Sequence, residues 1–178
     1  MKLPCSISPM KTAQTLAFLG ALLSMTTGLS AQQSTPPPLP LESRQFDFWI
    51  GEWNVTTPDG KPAGTSKIEV IANGAGLLEN WSSANSPGKS LNAYNAARKQ
   101  WQQFWVGSGG GVLELAGGMV NGSMVLAGEH DVRGRHLVEK ITWTPNADGS
   151  VRQHWEQSTD AGKTWTTAFD GLYRKKQA

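Results

Sequence analysis

Two glutamates of this chain, Glu79 and Glu139, occur in β-type sequence segments that also carry tryptophans. A carboxylate held among aromatic rings has its pKa raised, so it can act as a general acid or base or bind a cationic ligand. The more common arrangement pairs such a carboxylate with a neighbouring arginine or lysine, and the sequence favours that ion pair for both residues. If the glutamates do chemistry instead, Tyr94 is the side chain that we expect to act with them.

Other chemically active residue types form no recognisable pattern. The three histidines, His130, His136 and His154, have no metal-ligand spacing, and no G-x-S-x-G nucleophile motif occurs. The glycine-rich run 107–111 lacks the lysine of a phosphate-binding loop, and we interpret it as a flexible loop at a barrel mouth. The sequence therefore indicates no metal site and no cofactor.

Residues 158–165 match S-x-D-x-G-x-T-W, the Asp-box pattern familiar from sialidase propellers. In this pattern the aspartate bonds local backbone, the glycine accepts a positive φ, and the tryptophan packs beneath the turn. Propellers repeat the motif once per blade, whereas here it occurs once. It predicts a tight hairpin turn and implies no sialidase activity.

The elements that must position these residues are strands. Short segments rich in β-branched and aromatic residues alternate with turn residues along the whole chain beyond residue 52. The predicted strands cover residues 53–57, 64–72, 76–83, 90–97, 101–107, 112–116, 122–130, 136–144, 150–158 and 164–174.

The connections between these strands are short, which favours antiparallel neighbours. About ten antiparallel strands must close or cover their edges, and closure is the simplest solution. The sequence therefore predicts an all-β fold, a single up-and-down antiparallel barrel of about ten strands, with a two-sheet sandwich as its rival. Trp49 and Trp53, four residues apart, predict one short helical turn before the first strand.

Side chains alternate between the two faces of a strand, and the aromatic set should face inward because burying a large ring is worth a few kcal/mol. This rule puts His154 outside. It predicts an interior that mixes tryptophans with isolated polar groups, which a ligand cavity needs and a plain core does not. The predicted ligand-binding residues are Glu79, Trp81, Asn92, Tyr94, Gln103, Trp105, Glu139, Trp143, Gln153 and Trp155.

The triplet Gly51-Glu52-Trp53 resembles the G-x-W signature of lipocalins and related calycin barrels. With F-D-F-W-I-G-E-W at 46–53, L-L-E-N-W at 77–81, S-L-N-A-Y at 90–94, W-Q-Q-F-W at 101–105 and R-Q-H-W-E at 152–156, the chain resembles a family of small exported bacterial proteins of unknown function with a calycin-like barrel. The resemblance implies that Trp53 closes the barrel base and that Arg174 packs across it. It implies no catalytic or ligand residue.

The first 31 residues have the features of a signal peptide, with Lys11 before the apolar run 16–23 and Ala31 at the expected cleavage site. Translation that starts at Met10 would give an equally normal signal. A Pro-rich linker at 32–41 and one barrel domain at 42–176 follow. The single cysteine, Cys5, falls in the signal, so we expect a periplasmic or secreted protein without disulfides.

Charge limits the class of partner. Outside the predicted signal peptide the chain carries 14 basic and 14 acidic residues, which argues against nucleic acid as the main partner. The apolar run of the signal is too short for a stable membrane span. The expected partner is therefore a small apolar or aromatic molecule.

Three functions remain open from the sequence. The first is an exported protein that holds this molecule inside the barrel. The second is a barrel enzyme, an isomerase or hydrolase, that uses Glu79 or Glu139 as acid or base. The third is an interaction module with a packed interior. The oligomeric state is not indicated.

Overall fold

The computed structural model describes residues 37–177, so the predicted signal peptide and the first half of the predicted linker lie outside the described residues. Ten strands account for most of this range. They are β1 Gly51–Thr56, β2 Pro62–Ile71, β3 Gly76–Ser82, β4 Gly88–Asn95, β5 Gln100–Gly107, β6 Val112–Val120, β7 Ser123–Val132, β8 Arg135–Pro145, β9 Val151–Ser158 and β10 Thr166–Lys175. No helix in this range is long and apolar enough to cross a membrane.

The strands form one closed antiparallel barrel. Each strand pairs with its neighbours in the sequence, and β1 closes the barrel by pairing with β10. Val55 lies opposite Tyr173 across this closing pair. The predicted all-β up-and-down barrel is confirmed, and closure leaves no unpaired sheet edge.

Local turn chemistry explains the order of the strands. The β6–β7 and β7–β8 hairpins turn through Asn121-Gly122 and Arg133-Gly134, and all four residues have positive φ. Two-residue turns with two positive φ values match the right-handed twist of the strands that they join. These turns bring sequence neighbours together in space.

One end of the barrel is closed by the segment before β1. Two short 3₁₀ helices, Leu41–Arg44 and Asp47–Trp49, place the fully buried rings of Phe46 and Trp49 under the strands. These rings stack 4.9 Å apart, and Trp53 Nε1 donates a hydrogen bond to the Trp49 carbonyl at 2.9 Å. The predicted helical turn is present but ends at Trp49, because Trp53 already belongs to β1.

Two sequence expectations need correction. The cation over the Trp53 ring is Lys175, 5.3 Å from the ring centroid, and not Arg174. Trp53 pairs with Lys175 in the register, so alternation puts Arg174 on the outer face. Strand β6 also continues to Val120 rather than ending at residue 116, because Gly117 and Gly118 pair with Leu126 and Val125 of β7. A Cβ on Gly117 would collide with the Val125 carbonyl, so this strand position requires glycine.

Candidate functional site

All ten predicted site residues lie on the inward face of the barrel. Cross-strand pairs show this directly, since Asn92 is opposite Gln103, Trp143 is opposite Gln153, and Trp155 is opposite the buried Ile141. The inward orientation derived from alternation is therefore correct. The structure divides the ten residues among three levels: the closed end, the middle, and the open end.

At the closed end, aromatic packing fills the barrel. Trp143 lies 5.2 Å from Phe46 and 5.5 Å from Trp49, between ring centroids. Tyr94 packs against Trp101 at 6.3 Å, and Gln153 accepts a hydrogen bond from the Tyr173 hydroxyl. Trp143 thus belongs to the buried core, and Tyr94 and Gln153 are half-buried beside it. Within residues 37–177 Tyr94 makes no hydrogen bond with either glutamate.

In the middle of the barrel, side chains of β2, β3, β4 and β5 form one hydrogen-bonded chain that ends at Glu79. Ser66 Oγ and Ser90 Oγ donate to the two Glu79 oxygens at 3.0 and 2.9 Å. Asn92 donates to Ser90 Oγ at 2.9 Å, and Gln103 donates to Asn92 at 2.7 Å. We call these five residues the Glu79 network.

Burial dominates the electrostatics of the Glu79 network. Desolvation raises the pKa of Glu79 to about 7, although its hydrogen bonds from Ser90 and Ser66 act in the opposite direction. Burial, assisted by the Glu79 charge, also raises the pKa of Tyr173 well above its ordinary value. A carboxyl group with this pKa can hold or release a proton near neutral pH.

The expected arginine or lysine partner is wrong for both glutamates. Within residues 37–177, the lysine and arginine ion pairs lie on the outside of the barrel or in its connections, and none includes Glu79 or Glu139. The physical reason is the register, because within residues 37–177 the inward strand positions that directly flank Glu79 and Glu139 carry no lysine or arginine. Glu79 has serine partners, and Glu139 has a histidine, a tryptophan and a glutamine.

Glu139 lies nearer the open end, on the opposite wall. It is only 1 % exposed, and its Oε1 is 3.1 Å from His130 Nε2 and 3.0 Å from Gln157 Nε2. Trp155 Nε1 donates to the other oxygen at 2.5 Å. His130 itself is 27 % exposed, so this group of four residues, the Glu139 cluster, connects a buried carboxylate to solvent.

Two aromatic rings at the open end pack over glycines of the neighbouring strand. A Cβ on Gly88 would lie 2.5 Å from Trp105 Cη2, and a Cβ on Gly64 would lie 2.9 Å from the Trp81 ring. The glycines therefore make room for the two rings. Both rings, like Trp155 and Phe169, face inward yet stay partly exposed. Four rings at the closed end are in contrast almost completely buried: Phe46, Trp49, Trp101 and Trp143.

Two recesses open at this end. The first, of about 310 Å³, adjoins the Glu139 cluster through Gln157, and the second, of about 450 Å³, runs along the outer rim beside Trp81 and Gly88. The lining of the first recess is Val132, Arg135, Leu137, Gln157, Thr159, Thr164 and Thr166. Its volume lies at the lower limit of small-molecule sites.

The Asp-box turn forms one side of the first recess. Asp160 accepts hydrogen bonds from the Thr164 backbone N–H at 2.8 Å and from the hydroxyls of Thr164 and Ser158 at 2.7 Å, and Gly162 has a φ of +82°. These bonds lower the pKa of Asp160 to about 2. The predicted turn chemistry is confirmed, and the turn also positions Thr159 and Thr164 at the recess.

Sequence reasoning missed several residues of the open end. His130 shares the inward parity of Met124 and Leu126, but β7 is apolar on both faces, so its inward set could not be recognised. Gln157 follows Gln153 and Trp155 at the same parity, and extending the alternation by two residues would have found it. Arg135 shares the parity of Leu137 and Glu139, but the predicted strand began at residue 136 and so left it out.

Comparison with known proteins gives no family: the sequence matches no family model and no curated protein. Within residues 37–177, no three histidine, aspartate or glutamate side chains are grouped as metal ligands.

Proposed function

We propose that this chain is an exported protein that binds a small apolar or aromatic molecule at the open end of its barrel. Export is supported by the signal-peptide features of residues 1–31 and by the resemblance to exported calycin-like barrels.

One observation carries the binding proposal: inward-facing rings remain partly exposed at the end of the barrel where two recesses open. A protein that needed only a stable core would bury Trp81, Trp105, Trp155 and Phe169 as completely as it buries Trp49 and Trp143. The recess adds apolar walls, Val132 and Leu137, and a small number of polar groups, which is the usual composition of a ligand site.

The difference between the two ends of the barrel limits the proposed site to some of the ten predicted ligand-binding residues. Trp81, Trp105, Glu139 and Trp155 are at or near the open end, whereas Tyr94, Trp143 and Gln153 support the closed end. The Glu79 network satisfies its own hydrogen bonds and forms a polar wall below the site.

The test is a titration of the purified protein with a neutral aromatic probe such as naphthol, followed by tryptophan fluorescence. Leu137→Gln should weaken binding about tenfold, because losing the apolar contact of a leucine costs on the order of 1–2 kcal/mol. Leu91→Gln is the matched control, since Leu91 is 50 % exposed on the outer face. A probe that binds both variants equally, or binds neither variant nor the unaltered protein, contradicts the proposal.

A barrel enzyme is the second candidate, and the His130–Glu139 pair favours it. Glu139 is fixed by Trp155 and Gln157, and it orients His130 through Nε2. The other ring nitrogen has no partner within residues 37–177 and could accept a proton from a bound molecule. If a bound molecule is chemically altered and Glu139→Gln stops the change without stopping binding, the enzyme is supported. Weaker binding without any turnover favours the carrier.

A further inference from the structure

The first recess carries one positive charge that the protein does not neutralise. Arg135 is the only charged residue in its lining, and within residues 37–177 it has no ion pair and no side-chain hydrogen bond. An unpaired guanidinium at a binding recess is a donor set suited to a planar anion.

The nearby carboxylates are all engaged elsewhere. Glu129 and Asp131 lie on the outer face, where both contact His136, at 3.4 and 3.2 Å. Asp160 is held by Thr164 and Ser158, and Glu139 is held within its own cluster. None of these groups is therefore paired with Arg135, whose charge stays available to a ligand.

The rest of the lining suits the body of an organic acid. Val132 and Leu137 supply apolar surface, and the hydroxyls of Thr159 and Thr166 have no hydrogen bond within the described part of the chain. A single guanidinium balances one negative charge, and the buried Glu139 carboxylate behind Gln157 would repel a second one. The lining thus favours a monoanion over a phosphate dianion.

We propose that the ligand is a small monocarboxylic acid, whose carboxylate binds Arg135 at the lip of the recess and whose apolar body contacts Val132 and Leu137. This inference rests on the proposed binding function and names the ligand class for the same recess. The carboxylate accepts two hydrogen bonds from the guanidinium, in the paired geometry that this side chain forms with carboxylates.

The experiment compares acids with their neutral amides. The purified protein is titrated with octanoate, octanamide, 4-phenylbutyrate and its amide, and binding is measured by calorimetry and tryptophan fluorescence. Each acid should bind about tenfold or more tightly than its amide, because a hydrogen bond to a charged group contributes more than a neutral one.

Arg135→Gln should abolish the preference for the acid, because the acid loses a charge-assisted pair of hydrogen bonds whereas the amide loses at most a weaker neutral one. Arg133→Gln is the matched control. Arg133 lies in the same hairpin but does not line the recess, so its substitution removes the same charge without changing the proposed site. Acids that lose affinity equally in both variants indicate general charge attraction and overturn the inference.

The remaining outcomes separate this inference from the proposed function. If acids and amides bind equally and Leu137→Gln weakens both, the recess is a binding site and the carboxylate assignment is wrong. If neither acids, amides nor naphthol bind at millimolar concentration, the proposed function fails, and this inference fails with it.

Discussion

Glu79 accepts hydrogen bonds from two serines, and the amides behind them are oriented the same way. Because each side-chain hydrogen bond of the Glu79 network is donated toward the carboxyl group, the network can stabilise a negative charge there, while burial opposes it. The result is a pKa of about 7, so the charge of the barrel interior changes near neutral pH.

This titration should appear in the free energy of unfolding. The folded-state pKa of Glu79 is raised from 4.5 to about 7. The stability that its protonated carboxyl group contributes to the fold is therefore fully present below about pH 4.5 and is lost as the pH rises through about 7. Glu79→Gln has no carboxyl group to ionise, so it does not lose this stability. As the pH rises from about 4.5 to about 7, the variant should gain about 3 kcal/mol of stability relative to the unaltered protein.

Urea unfolding of both proteins at about pH 5 and about pH 8 checks this prediction. Other titrating groups are common to the two proteins and cancel in the difference. A stability difference that stays constant between the two pH values would show that Glu79 keeps an ordinary pKa.

At the scale of the element, the open end depends on glycines that accept a ring from the next strand. A Cβ on Gly88 would lie 2.5 Å from Trp105 and 2.6 Å from the Val106 carbonyl. Gly88→Ala must therefore displace the ring, or push β4 away from β5. We expect a loss of about 2–3 kcal/mol.

Gly109→Ala is the control for Gly88→Ala, because a Cβ there would meet nothing within 4 Å. Thermal unfolding of the two variants measures the difference, and the Trp105 emission of Gly88→Ala should shift as its ring moves. Equal stabilities would mean that the ring has another place to lie.

The strands were predictable because the information that defines them is local. Alternation identified the inward set, and pairs such as Asn121-Gly122 marked the hairpins. The partners of the glutamates were not predictable in this way. Ser66 and Ser90 are 13 and 11 residues from Glu79 in the sequence, and only the register brings them to the carboxyl group.

The recess at the open end could not be predicted from the sequence either. Its lining combines the ends of β7, β8, β9 and β10 with the Asp-box turn, so no single motif contains it. The unpaired charge of Arg135 depends on where Asp131 and Glu129 point, which is set by their contacts with His136 on the other face. Neither fact has a signature in composition or spacing.

At the scale of the whole molecule, one end of the barrel is packed with aromatic rings and the other end is open. Phe46 and Trp49 enter the base from outside the sheet and contact Trp143 at 5.2 and 5.5 Å between ring centroids. The strands alone would leave that end as open as the other. Residues before β1 therefore decide which end of the barrel is closed and which stays open.

This asymmetry predicts that Phe46 matters more for stability than any ring on the outside. Phe46 is fully buried between Trp49, Trp101 and Trp143, so Phe46→Ala removes a ring and leaves a cavity among three others. We expect a loss of about 3–5 kcal/mol in the free energy of unfolding. Phe104→Ala, on the outer face of β5 where the ring is half-exposed, should cost less than about 1 kcal/mol. Denaturant unfolding of both variants gives the comparison. If the two losses are similar, the strands themselves stabilise the closed end, and the segment before β1 contributes little to the free energy of unfolding.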